Sequence, residues 1–373
     1  MKLCILSMQH VPNFGSALQS YALKGMLESL GHAVSFLDIA PNEEDNRLLG
    51  GAAMRICGEG ETSGSFSAKL KKLDRYTWNR ICQKRRWKKQ EQKFHEFRAQ
   101  QLPTADNDGR YDCCVIGSDE VFACLSRTPW GFTSQLFGNV NQADRVITYA
   151  ASCGSTVFQA VPQPAADRIR EAFGKVAAIS VRDENTREFA SHFTDLAIEE
   201  HFDPALAVNF DREMAEAGLP ENLPERYCLV YSYYNRICDQ ESIRQIKKFC
   251  REQNLQLLTL GAPQKWIPNH LALMPFEALN VFRNAAFVIT DTFHGTIFSA
   301  KYSEKFAVMI RSSNRNKLGD LVRRLQLEKH VVESFDQLEK VFRTPNDRDR
   351  IAALTERERE RSVRYLYENL TGV

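Results

Sequence analysis

The chain of 373 residues has no apolar run approaching the roughly 20 residues that a membrane-spanning helix needs. It has no excess of either charge. Its 49 Lys and Arg stand against 47 Asp and Glu, and a net +2 is too little for the chain as a whole to attract nucleic acid. Its ten cysteines include no C-x-x-C pair, which removes zinc knuckles and dithiol redox motifs. Several, such as Cys113 and Cys114, lie in apolar runs where a thiol acts as a small hydrophobe. There is no G-x-G-x-x-G and no Walker lysine, so dinucleotide and nucleoside triphosphate binding are not supported. No repeat recurs at a period of about 20–50 residues. In the opening MKLCILSMQH the apolar run is short and polar residues follow, unlike a secretory leader. Together with the missing disulfide framework, this makes the reducing cytoplasm the expected compartment.

What the chain does contain is enough for large cores: 43% of its residues are hydrophobic and 10% aromatic, which excludes disorder as its main character. Strand-like runs at Lys2–Ser7, Ala33–Ile39, Cys113–Gly117, Val146–Ala151 and Ala177–Arg182 alternate with helix-period stretches such as Ala17–Leu30. The second half repeats the pattern at Tyr227–Tyr233, Leu255–Gly261, Ala286–Thr290, Phe306–Ile310 and His330–Val332, with helices at Glu241–Glu252 and Phe276–Asn284. Continuously apolar strands alternating with helices predict parallel, doubly wound sheets. Five strands in each half predict two Rossmann-like domains. The first is expected over residues 1–208 and the second over 209–345. The polar stretch Asn209–Arg226, with Gly218, Pro220 and Pro224, marks the boundary. Residues 346–373 are expected to form a charged helix that packs back across the cleft.

One segment departs from the neutral average. Ala68–Arg98 holds twelve basic residues against Asp74, Glu91 and Glu96, with Trp78, Trp87, Phe94 and Phe97 interleaved. A basic amphipathic helix of this kind suits an anionic membrane surface or an anionic substrate. The alternative is a helix docked on the protein's own core with its charges in water.

Four strand ends carry polar residues of catalytic type, and in open α/β sheets ligands bind at such ends. Asn13-Phe14-Gly15-Ser16 follows the first strand and opens a helix, with Gly15 expected to make a tight turn and Ser16 to cap. Gly117-Ser118-Asp119-Glu120 ends a buried strand. There Asp119 can accept a proton, bind a sugar hydroxyl, or cap a following helix. Arg182 ends another strand, where its guanidinium can fork onto a carboxylate or phosphate or pair with Asp183 and Glu184. Thr290-Asp291-Thr292-Phe293-His294-Gly295-Thr296 places a histidine at a helix start. An ordinary imidazole pKa of about 6.5 suits acid or base work near neutrality. Arg311, Arg315 and Lys317 follow the next strand and can face the same cleft or form a basic surface loop.

These motifs, in this order, resemble the polysaccharide pyruvyl transferase family. The resemblance rests on Asn13 to Leu23 (N-x-G-x-x-L-Q-x-Y-A-L, with Gln19 in it), Tyr111 to Asp119, Tyr149 to Ser152, Ile179 to Asp183 and Thr290 to Thr296. It spans about residues 1 to 310. Glu120 and Phe122 stand where Gln and Trp are usual, and Cys153 where an aromatic is common. The resemblance implies a GT-B-like pair of Rossmann-like domains facing across a cleft, the first on the acceptor side, with a basic helical insertion in that first domain and a C-terminal helix.

It also implies phosphoenolpyruvate as co-substrate and a nucleotide- or polyprenyl-diphosphate-linked saccharide as acceptor, which together form a pyruvate ketal for surface polysaccharide. By the same resemblance His294 is the catalytic acid, and Arg182 with a basic residue after the H-G motif binds the donor. Lys317 is the candidate for that second cation, ahead of Arg311 and Arg315. Asp119 or Asp291 is the expected base. Asn13, Gly15, Gln19, Gly117, Ser118, Ser152, Gly295 and Thr296 are expected to line the substrates, and no metal is expected. Two rivals remain: a GT-B-like glycosyltransferase using a nucleotide sugar, and a non-catalytic protein that binds a membrane surface through residues 68–98.

Overall fold

The computed structural model describes residues 1–50, 69–126, 128–234 and 236–371. Cys57 and Ala68 lie outside the described residues, as do the side chains of Lys69–Ile81, which include Trp78.

Two all-parallel six-stranded sheets form the molecule. The first uses β1 (Lys2–Leu6), β2 (Ala33–Phe36), β3 (Tyr111–Asp119), β4 (Ala143–Ala151), β5 (Ile179–Val181) and β6 (Ile198–Glu200), in the order β2-β1-β3-β4-β5-β6. The second uses β7 (Tyr227–Tyr231), β8 (Gln256–Leu260), β9 (His270–Leu271), β10 (Phe287–Thr290), β11 (Phe306–Met309) and β12 (Val331–Val332), in the order β12-β11-β10-β7-β8-β9. The two doubly wound sheets are the pair of Rossmann-like domains that the strand pattern predicts.

Each sheet has six strands where the sequence pattern indicates five. The two unforeseen strands, β6 and β9, are short edge strands. Their segments Ile-Glu-Glu and His-Leu have no apolar run, because a sheet edge has less to bury. Strand order reverses between β1 and β3 in one sheet and between β7 and β10 in the other. Crevices open beyond the strand ends at such switch points.

The helices pack on both faces of each sheet. They are α1 (Phe14–Ser29), α2 (Glu43–Leu48), α3 (Lys69–Gln101), α4 (Gln163–Phe173), α5 (Glu184–Ser191), α6 (Pro204–Ala207) and α7 (Asp211–Ala217), then α8 (Gln240–Glu252), α9 (Pro275–Asn284), α10 (Phe293–Tyr302), α11 (Arg315–Arg324), α12 (Leu338–Phe342) and α13 (Arg348–Thr371). One core cluster is shared between the halves. It joins Phe14 and Leu18 of α1 and Ala205 of α6 to Leu279 of α9 and Ile297 of α10. The two domains are therefore sealed together below the cleft by apolar contact.

α13 spans both domains. Its Ile351 packs in the shared cluster, while Tyr365, Leu366 and Leu370 pack against β1, β3 and β4. The Tyr365 hydroxyl donates to the Thr148 carbonyl at 2.9 Å. The basic segment is helical, as expected, and its later half is docked. Phe94 meets Phe14 edge-on at 4.9 Å between ring centroids, Gln90 exchanges two hydrogen bonds with the Leu273 backbone, and Arg86 donates to the carbonyls of Ile267 and Pro268. Lys84, Arg85, Lys88 and Lys89 stay exposed. No helix among the described residues is long and apolar enough to cross a membrane.

Candidate functional site

A cleft of about 710 Å³ opens where the two switch points face each other. Its first-domain wall includes Asn13 and Ser16 after β1, Asp119 at the end of β3 with Glu120 after it, and Arg182 after β5. Tyr233 after β7, Phe293 and His294 after β10, and Lys317 on α11 form the facing wall.

Asn13 rather than Ser16 caps α1, its Oδ1 accepting from the Ser16 amide at 2.7 Å. That leaves the Ser16 hydroxyl free to donate to Asp119 Oδ2 at 2.9 Å. Gly15 is needed for close approach and makes no tight turn: a Cβ there would overlap the His294 ring. Gly117 has φ +131°, and a Cβ on it would overlap the Tyr149 carbonyl, so only glycine lets β3 and β4 close there. Asp119 caps no helix. It sits at φ +73°, in the left-handed region that aspartate tolerates better than most residues, and its carboxylate points into the cleft wall.

At the centre, His294 Nε2 lies 3.3 Å from Oδ2 of Asp203, a residue the sequence pattern did not single out. Asp203 is fully buried just before α6 and caps it through Oδ1. Burial alone would raise its pKa. The His294 ring, by charge and hydrogen bond, and then the Arg182 guanidinium outweigh that and hold it at about 2. Arg182 donates to the same Oδ2 at 2.9 Å and approaches Asp119 Oδ1 at 3.4 Å, with its guanidinium carbon 4.2 Å from the Phe293 ring centroid. Burial opposes the Arg182 charge, but Asp119 and Asp203 more than offset it and raise its pKa. Its Nε is buried with no partner among the described residues. The alternative pairing with Asp183 or Glu184 gives way to Asp203 and Asp119, with Asp183 capping α5 instead.

A second ion pair crosses the cleft, from Lys317 Nζ to Glu120 Oε1. Burial alone would raise the Glu120 pKa, yet Lys317, Arg182 and His294 bring it below the usual carboxylate range. Burial likewise opposes the Lys317 charge, and Glu120 outweighs it. Arg324 of α11 also reaches across, donating to the Arg182 carbonyl at 2.7 Å and stacking on Phe202 at 3.8 Å. Lys301 of α10 donates to the carbonyls of Ala205, Leu206 and Val208, which fixes the short stretch that follows Asp203.

Other expected site residues lie elsewhere. Asp291 is fully buried, with Oδ2 on Arg311 Nε at 2.7 Å, and neither residue lines the cleft. Arg315 is exposed at the start of α11, also off the cleft lining. Gln19 and Ser118 form a buried layer behind it: Gln19 donates to Ser7, Ser118 donates to Gln19 at 2.9 Å, and the Ser118 hydroxyl is 3.4 Å from Asp203. The Ser152 hydroxyl is bound to Asp183 at 2.8 Å. The Gly295 amide is capped by Thr292, and the Thr296 hydroxyl donates to the Thr292 carbonyl. Asp203 escaped notice because β6 before it has no apolar signature. The Asp203-Pro204 pair did carry a readable helix-start signal.

Among solved structures, the chain is similar in fold to three bacterial or archaeal proteins. UDP-GlcNAc 2-epimerase from Neisseria meningitidis, bound to UDP-GlcNAc, is 8% identical with TM-score 0.48, and all of both chains is covered. UDP-GlcNAc 2-epimerase from Methanocaldococcus jannaschii is 11% identical with TM-score 0.46, covering 98% of this chain and 99% of that one. MnaA of S. aureus with UDP is 12% identical with TM-score 0.44, covering 99% and 91%. No curated protein sequence matches the chain. The model of one family matches residues 13–312, which takes in all five motifs and the cleft residues named above except Lys317 and Arg324. The chain belongs to the polysaccharide pyruvyl transferase family.

Proposed function

We propose that the protein transfers the enolpyruvyl group of phosphoenolpyruvate to two hydroxyls of a nucleotide- or polyprenyl-diphosphate-linked saccharide, making a cyclic pyruvate ketal. The observation that carries this reading is the meeting of His294, Arg182 and Lys317 in one cleft, with Asp203 held ionised against the histidine.

The chemistry calls for an acid, fixed cations and a base. His294 protonates the methylene carbon of the donor, and C2 becomes electrophilic. Asp203, through Nε2, orients the ring and balances its charge. The donor's carboxylate and phosphate take Arg182 and Lys317 as counter-charges, with the α1 N-terminus adding its amides. One acceptor oxygen bonds to C2 and gives its proton to Asp119. The bond from C2 to the phosphate oxygen breaks and phosphate leaves with the electron pair; the second hydroxyl oxygen then bonds to C2 to close the ketal, its proton passing to the His294 ring that the first step left deprotonated. Asp291, committed to Arg311, takes no part. The exposed row Lys84, Arg85, Lys88 and Lys89 supports a peripheral contact with anionic lipid where such acceptors reside.

The test is thermal unfolding of the purified protein with millimolar phosphoenolpyruvate, followed by phosphate release on adding candidate saccharides. Saturation at about 100 times the dissociation constant adds about 2.7 kcal/mol, a shift that Lys317→Ala should shrink. Stabilisation by a nucleoside diphosphate and none by phosphoenolpyruvate would turn the reading to glycosyl transfer.

A further inference from the structure

A second cavity, of about 480 Å³, lies between α3 and the loops that follow β7 and β8. Trp87 and Lys84 of α3, Tyr233 and Tyr234 after β7, and Pro263 after β8 line it. Three features set it apart from a surface crease. Tyr233 lines both this cavity and the cleft that holds His294, so the two spaces share a wall. Tyr233 and Tyr234 are 43% and 48% exposed, with a cation over each ring, Arg236 at 4.7 Å from one centroid and Lys265 at 5.6 Å from the other. Finally, Gln83 lines the cavity at 6% exposure, and its Oε1 has no hydrogen-bond partner among the described residues.

A buried carbonyl oxygen without a donor is costly, and it marks a place where a ligand's O–H or N–H fits. Half-exposed aromatic rings beside one such acceptor suit a ring with an apolar C–H face and hydroxyl donors at its edge. An alkyl chain would cover the rings but leave Gln83 Oε1 unsatisfied. We infer that this cavity is a second sugar subsite, which holds the saccharide unit next to the one that receives the pyruvyl group. The acceptor is then at least a disaccharide, bridging Tyr233. This inference rests on the transferase reading for the identity of the cleft, but the cavity's affinity for sugar can be measured without it.

The experiment is saturation-transfer NMR and titration of the full chain with cellobiose, lactose and mannobiose, each compared with its methyl monosaccharides. At least one disaccharide should bind ten-fold or more tightly than its monosaccharides, with saturation reaching both rings. Trp87→Ala and Gln83→Leu should each abolish that gain. Tyr234→Ala, at an exposed position, serves if either variant fails to fold. Stabilisation by phosphoenolpyruvate should be unchanged in all three. Equal binding of mono- and disaccharides throughout, or a gain that survives the variants, overturns the subsite. So does Trp87-dependent binding of uridine monophosphate in place of sugar, which would make it a nucleobase site. Loss of phosphoenolpyruvate stabilisation in the unaltered protein would count against the transferase reading alone.

Discussion

Gly15 at the start of α1 lies against the imidazole of His294 at the start of α10, so close that a Cβ on Gly15 would overlap Nδ1, Cγ and Cε1 of the ring. Two helix N-termini from different domains thus meet at one histidine, and the missing side chain of the glycine makes room for it. Gly15→Ala should push the ring off Asp203. Positional errors of about 1 Å can cost about 100-fold in rate. Turnover should fall by about that factor while phosphoenolpyruvate stabilisation changes little, and unchanged turnover would show that the ring position is not critical.

Asp203→Asn should act on both stability and catalysis. Arg182 and His294 lose their shared carboxylate, and removing one partner of a buried ion pair costs about 3–5 kcal/mol. Asp119 remains as a partial partner for Arg182, which places the expected loss at the lower end. Catalysis should drop by about 10²–10⁴-fold if the histidine depends on this orientation. Denaturant titration and initial rates separate the two effects.

Glu120→Gln should strengthen donor binding. Lys317 is held by Glu120 across the cleft, and a dianionic donor must compete with that carboxylate. Removing the charge should lower the dissociation constant for phosphoenolpyruvate by about tenfold, equivalent to about 1.4 kcal/mol. Weaker binding in the variant would mean that Glu120 positions Lys317 rather than competing for it.

Stability should fall on mild acidification because of two buried histidines. Burial, reinforced by Arg361 and Arg324, lowers the His201 pKa to about 3. Burial lowers that of His330 to about 4. Between about pH 6.5 and those values the unfolded chain binds protons that the folded chain does not. The stabilisation is therefore complete above about pH 6.5 and is lost as pH falls toward 4 and 3. Each histidine contributes a slope of up to about 1.4 kcal/mol per pH unit. His201 packs against Tyr149 and Tyr365 and bonds Ser180 at 2.9 Å, so His201→Asn should lower the plateau but flatten the slope. An unaltered slope in that variant would shift the effect to other groups.

The exposed cations of α3 should bind anionic vesicles weakly. Each Lys or Arg near such a surface contributes about 1 kcal/mol, screened by salt. Co-sedimentation with phosphatidylserine vesicles should be measurable at low ionic strength and lost at about 0.5 M salt. Replacing Lys84, Arg85, Lys88 and Lys89 with Gln should abolish it. Indifference to lipid charge would leave α3 as a purely docked helix.

Most of the architecture was legible in the sequence. Strands such as β1, β3 and β10 are covered on both faces and read as unbroken apolar runs, so they announce themselves. The polar residues at their ends lie where parallel sheets open a crevice, which is why Asn13, Asp119, Arg182 and His294 could be named beforehand. The edge strands β6 and β9 bury little and left no such trace.

Local periodicity, and the residues that interrupt it, are enough to give two doubly wound domains, their order along the chain, and the strand ends that carry a histidine, carboxylates and an arginine. Which side chains meet depends on how the two domains pack. Asp203 meets His294 across 91 residues and Lys317 meets Glu120 across 197, while Asp291 turns inward to Arg311 and Gln19 withdraws behind the cleft. The reason is physical: charges on separate domains choose partners by the distance and desolvation that closure imposes, and no local pattern encodes either.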